Sequence, residues 1–114
     1  MGQLTRAVAL VGLVGVGCSS PPLPTIIVES NQIGVTNSSD VRWERIEVWV
    51  NDHYRVTLGS LEPGGRFVAP LDTFVAGFGQ RFDPRRQKVG GVEVTARDPS
   101  GMIVTHTWAS GRRR

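Results

Sequence analysis

The chain has 114 residues, of which 39% are apolar and 20% charged, with a formal net charge of +3. That length accommodates one small domain, and apolar residues spread along the whole chain exclude a low-complexity disordered polymer. A single cysteine excludes an internal disulfide framework and a zinc site built on cysteines, and fourteen glycines with seven prolines announce many tight turns.

After Arg6, the run Ala7 to Gly17 carries no polar side chain. As a helix it would reach about 16 Å, roughly half of what a bilayer core demands, so it has the form of the apolar region of a secretory signal. The lone Cys18 follows at once, preceded by Val14-Gly15-Val16-Gly17. This resembles a bacterial lipoprotein signal, in which a peptidase cuts before a cysteine that carries acyl chains. The resemblance implies a signal over residues 1–17, Cys18 as the lipidated N-terminus, and membrane attachment through that lipid, since each buried methylene contributes about 0.8 kcal/mol. An ordinary secretory signal and an N-terminal anchor are the alternatives. Ser19, where an aspartate would imply inner-membrane retention, implies the outer membrane. Residues 18–24, ending in Pro21-Pro22-Leu23-Pro24, read as an extended tether that spaces the domain from the surface by about 3 Å per residue.

Removing residues 1–17 takes away Arg6 and leaves 12 basic against 10 acidic residues; without Arg112, Arg113 and Arg114 the balance is 9 against 10. The pI of 10.0 therefore reflects the terminal tail, residues 110–114, rather than a basic domain, which argues against nucleic-acid binding.

Residues 25–109 read as short strands separated by turns. Thr25 to Glu29 and Ile33 to Thr36 are β-branched runs, and Asn37-Ser38-Ser39-Asp40 is a turn. From Trp43 to Val50 the side chains alternate, with Ile46, Val48 and Val50 facing the core and Trp43, Arg45, Glu47 and Trp49 on the other face. Asn51-Asp52 predicts a two-residue hairpin turn, because both residues tolerate left-handed backbone. The returning strand runs from His53 to Leu58, with Tyr54, Val56 and Leu58 on one side. Leu61-Glu62-Pro63-Gly64-Gly65 is a further turn into a strand from Arg66 to Leu71. Phe74, Phe78 and Phe82 recur every four residues, the spacing of one helical face, which predicts a short helical turn and then an irregular stretch ended by Asp83-Pro84. Val89 to Arg97 and Met102 to Trp108 are the last strands, joined by the β-turn Asp98-Pro99-Ser100-Gly101. Roughly seven strands in so short a domain predict an all-β fold, an antiparallel Ig-like or fibronectin III-like β-sandwich.

The segments Val35-Thr36-Asn37-Ser38, Trp43 to Asn51 with Tyr54, Leu61-Glu62-Pro63-Gly64, and Phe74 through Gly79 to Phe82-Asp83-Pro84 resemble small bacterial envelope lipoproteins carrying one Ig-like or fibronectin-like domain. The resemblance spans residues 30–108 and rests on turn and core positions. It implies the fold and a cell-envelope location, and it brings no catalytic residues.

Chemistry-bearing patterns are sparse. His53 and His106 are isolated, no Gly-x-Ser-x-Gly elbow is present, and Gly64-Gly65 and Gly90-Gly91 lack the lysine and spacing of a phosphate loop. Glu44 and Glu47 fall on opposite faces under strict alternation, so they do not make a glycosidase pair. No cofactor, metal or catalytic residue is expected. Two surfaces are candidates for binding a protein or glycan of the envelope. One is the Phe74–Lys88 segment, with Phe78 and Phe82 beside Arg81, Arg85 and Arg86; the other is the strand face with Trp43 and Trp49. The expected role is a lipid-anchored, non-catalytic binding or structural module. A small periplasmic inhibitor or chaperone using the 74–88 loop is the alternative, and a minimal hydrolase is a distant third.

Overall fold

The computed structural model describes residues 23–111; Cys18, the signal expected over residues 1–17 and most of the expected tether lie outside them, as do the three terminal arginines. Eight strands form among the described residues: β1 (Ile26–Val28), β2 (Gln32–Thr36), β3 (Trp43–Val50), β4 (Tyr54–Leu61), β5 (Arg66–Pro70), β6 (Val75–Ala76), β7 (Gly91–Arg97) and β8 (Ile103–Ala109). Most are rich in β-branched or aromatic residues, and β2, β3, β5, β6 and β7 end at Asn37, Asn51, Pro70, Gly77 and Asp98. They pair antiparallel into two sheets, ordered β1-β2-β5 and β6-β4-β3-β7-β8. The fold is a β-sandwich, as the strand pattern predicts. In chain order it follows the constant-type Ig arrangement with two differences: the fourth strand pairs with the third rather than joining the smaller sheet, and the short β6 is added at its outer edge.

One core lies between the sheets. Ile26, Ile33, Val35 and Ala69 face Ile46, Val48, Val50, Val92, Val94 and Ala96, and Leu71, Phe74 and Phe82 close one end. Along β7 every second residue is buried, the period-2 signature of a strand with one wet face.

Three local expectations differ from the structure, each for a backbone reason. First, Trp43 is 1% exposed and belongs to the core, not to the outer face with Trp49. Arg45 adopts a left-handed φ of 52°, and the register against β7 slips between Glu44 and Glu47. This bulge breaks the alternation, so Trp43 and Ile46 both point inward. Trp43 stacks against His106 with ring centroids 5.4 Å apart. The bulge also leaves both Glu44 and Glu47 on the solvent side, each beside a different arginine, Arg42 at 3.6 Å and Arg55 at 3.7 Å.

Second, Asn51 and Asp52 are left-handed as expected, with φ of 52° and 64°, and the His53 N–H donates to the Val50 carbonyl at 3.2 Å. The ladder, however, resumes with Tyr54 opposite Val50. His53 is thus an extra loop residue, and it moves the whole register by one, setting Arg55 opposite Trp49. Third, the Phe spacing is not helical. A 3₁₀ turn at Leu71–Thr73 leads into a tight hairpin in which the Phe82 N–H donates to the Phe74 carbonyl at 2.9 Å and the Ala76 N–H to the Gln80 carbonyl at 2.8 Å. Phe74 and Phe82 lie across from each other on the two arms, and Phe78 is at the tip. A symmetric hairpin of this length reproduces a four-residue repeat without a helix.

Candidate functional site

The two surfaces singled out in the sequence adjoin each other. β6 pairs with the start of β4, Arg55 opposite Val75 and Tyr54 opposite Ala76. The hairpin carrying Phe78 therefore stands beside the outer face of the large sheet, where Trp49 emerges. Between them runs a groove of about 390 Å³ lined by Trp49, His53, Arg55, Thr57, Val75 and Gly77.

Trp49 is half-buried on this face. Its indole N–H donates to the Glu47 carboxylate at 3.1 Å, and the Arg55 guanidinium sits 5.3 Å from the ring centroid, in cation–π range. Glu47 and Arg55 are 3.7 Å apart, too far for a good hydrogen bond, so the guanidinium keeps N–H donors for another acceptor. This Glu47–Trp49–Arg55 cluster, with Thr57 beside it, is a polar and aromatic floor on an exposed sheet.

At the hairpin tip, Phe78 is 80% exposed. Gly79, with φ of 92°, takes the left-handed position that closes a three-residue hairpin loop, and its N–H donates to the Ala76 carbonyl at 2.8 Å. The turn is hydrogen-bonded on both sides, so the phenyl ring is held out on a short, braced arm. Phe82 is 1% exposed and packs edge-on against Tyr54 with centroids 5.2 Å apart. It and Phe74 plug the end of the sandwich. Neither Trp43 nor Phe82 can therefore meet a partner at the surface, and both leave the candidate set.

Arg81, Arg85 and Arg86 are exposed. Arg81 donates to the Asp72 carbonyl at 3.3 Å, and Arg85 lies 3.6 Å from Asp83. The Asp83 backbone carbonyl in turn accepts the Arg86 and Gln87 N–H groups at 3.0 Å, so the cations ride on a locally ordered loop. Gln87 Nε2 donates to the Tyr54 hydroxyl at 3.1 Å. Asn51 ties the β3–β4 loop to this segment: its Oδ1 accepts from Gly90 and Gly91 N–H, and its Nδ2 donates to the Lys88 carbonyl.

The antiparallel registers place these features relative to the chain entry. β1 begins beside the Asn37–Ser39 turn, with Thr25 Oγ1 and Ser38 Oγ 2.9 Å apart. It ends at Glu29, at the same end of the sandwich as Asn31, which accepts the Leu71 N–H, and hence as the Phe78 hairpin. The chain enters the domain at one pole, and Phe78, Arg81, Arg85 and Arg86 occupy the other.

The contributions of His53, Arg55, Thr57 and Val75 to the groove are not legible in the sequence, because they depend on the extra loop residue and on β6 pairing across twenty positions. Among the described residues no three of His, Cys, Asp and Glu gather at metal-binding distance, and no helix is long and apolar enough to cross a membrane. No family model, curated protein or solved structure matches the chain.

Proposed function

We propose that the protein is a lipid-anchored component of a bacterial cell envelope, outer membrane in preference to inner, that displays one β-sandwich as a non-catalytic binding module. The observation that carries this reading is polar opposition. The tether that would follow a lipidated Cys18 enters beside Ser38, while the exposed Phe78 and the Arg81, Arg85 and Arg86 side chains stand at the far end. An anchored domain would present that end away from its own membrane, to a protein or glycan of the envelope.

The test is intact mass and membrane fractionation of the natively produced protein beside Cys18→Ala. The expected result is an N-terminal diacylglyceryl-cysteine mass, with membrane association lost in the variant. An unlipidated, soluble product from both would remove the anchor. A second reading is favoured by one observation, the braced and solvent-exposed Phe78 ring: a periplasmic inhibitor or chaperone whose hairpin enters a partner's cleft. Loss of partner binding in Phe78→Ala, with binding kept in Cys18→Ala, is the outcome that would favour it.

A further inference from the structure

β6 covers only Tyr54 and Arg55 on the outer edge of β4. Beyond Ala76 in one direction the chain turns through Gly77–Gly79, and before Val75 in the other it dives through buried Phe74 into the 3₁₀ turn. From Val56 to Gly59, β4 has a partner strand on its β3 side alone among the described residues. An unpaired edge offers a row of N–H and C=O groups that only another extended backbone can satisfy in register. Natural edges are protected by proline, lysine, a bulge or an inward charge, and Val56-Thr57-Leu58-Gly59 has none of these.

The side chains along this window select what would lie there. Val56 and Leu58 point toward the core but are only partly buried there, and Phe67 on β5 packs against the same core in the same state. The three-stranded sheet is too narrow to cover them, so an apolar seam runs under the open edge. On the outer face of the same window, Thr57 and Arg55 line the groove beside Trp49. A strand laid on this edge would alternate: its inward residues would cover Val56 and Leu58, and its outward residues would fall into the groove beside the Arg55 guanidinium.

We propose that the Val56–Gly59 edge of β4 takes up an extended segment of a partner protein as an added strand continuing the line of β6. The segment has apolar residues at alternate positions and a carboxylate between them directed at Arg55. This edge adjoins the Phe78 hairpin through the shared groove, but its test depends neither on the Phe78 ring nor on anchoring. The backbone pairing supplies affinity and the alternate side chains supply selectivity.

The test uses the full chain, isotope-labelled, titrated with the capped hexapeptide Val-Thr-Val-Glu-Val-Thr. Its control is the same peptide N-methylated at alternate residues, which keeps composition but removes donors. The expected result is saturable chemical-shift change and slowed amide exchange confined to Val56–Leu61 and the facing groove, with at least tenfold weaker binding of the N-methylated peptide. A side chain at Gly59 meets nothing within 4 Å, so substitution there leaves the fold intact; Gly59→Glu should weaken binding at least fivefold and Gly59→Lys should not. Equal binding of the two peptides, or no saturable change at millimolar peptide, would overturn the proposal. So would concentration-dependent dimerisation that protects the same amides without peptide, because the occupant would then be a second copy of the chain.

Discussion

Asn37 is the residue whose replacement should cost most for its size. It is 0% exposed, yet every polar atom of its side chain is engaged. Nδ2 donates to the Val41 carbonyl at 2.8 Å and to the Leu61 carbonyl at 2.9 Å, and Oδ1 accepts from the Ser39 N–H at 3.0 Å and the Ser39 hydroxyl at 2.7 Å. Its main chain also bonds Gly64 and Gly65. The residue thus joins the β2–β3 turn, the end of β4 and the β4–β5 turn. In Asn37→Ala the Leu61 carbonyl loses this partner in a part-buried site, while Val41 and Ser39 lie near solvent and recover part of theirs. At about 1 kcal/mol for each hydrogen bond and somewhat more for the buried orphan, the loss is about 3–4 kcal/mol. A domain of this size has only about 4–13 kcal/mol in all, so Tm should fall by roughly 12–32 °C. Asn37→Asp separates hydrogen bonding from packing. It is isosteric and keeps the acceptor, but it sets a carboxylate against two carbonyl oxygens, so at neutral pH it should be at least as unstable as the alanine variant and recover partly on acidification. The assay is thermal unfolding by circular dichroism of both variants and wild type. A drop below about 3 °C for Asn37→Ala would refute the reasoning, because water would then replace the network without loss.

Other expectations follow from the same geometry. Phe74→Ala and Phe82→Ala should each cost about 3–5 kcal/mol by opening the end of the core, whereas Phe78→Ala should stay within about 0.5 kcal/mol; chemical denaturation of the three variants orders them. Asn51→Gly keeps the left-handed turn but removes three hydrogen bonds to the Lys88–Gly91 segment, for a loss of about 1–2 kcal/mol and faster amide exchange at Gly90 and Gly91. The Asp98 carboxylate accepts from the Ser100 hydroxyl at 2.6 Å, and from the Ser100 and Met102 N–H groups at 2.9 and 3.0 Å. The Ser100 side-chain bond, aided by those to the backbone, holds its pKa below the ordinary aspartate value. Because the folded value is the lower one, its contribution is present above the unfolded pKa and fades as pH falls through the folded one. A carboxyl NMR titration should place its midpoint low, and Ser100→Ala should move it back up.

What the amino-acid order determined by itself is the class of the fold. Alternation along β3, β4 and β7, with turn residues between, demands strands with one buried face, and strands so short and numerous can bury those faces only by stacking two sheets. The left-handed Asn51-Asp52 turn and the Asp98–Gly101 turn were likewise local and legible, because a turn's backbone depends on its own few residues. Where side chains point once a single residue falls out of period depends instead on contacts made across the folded domain. Arg45 bulges, and Trp43 moves from the outer face into the core. His53 adds one residue to a loop, and Arg55 arrives opposite Trp49. Phe74 and Phe82 take opposite arms of a hairpin, and one aromatic triplet divides into two core plugs and an exposed tip. Asn37 looked like a turn residue and is one, but its burial depends on carbonyls supplied by Leu61, far along the chain. With a side-chain period of two, a slip of one residue exchanges inside for outside, and which slip occurs is settled by long-range packing that no local window contains.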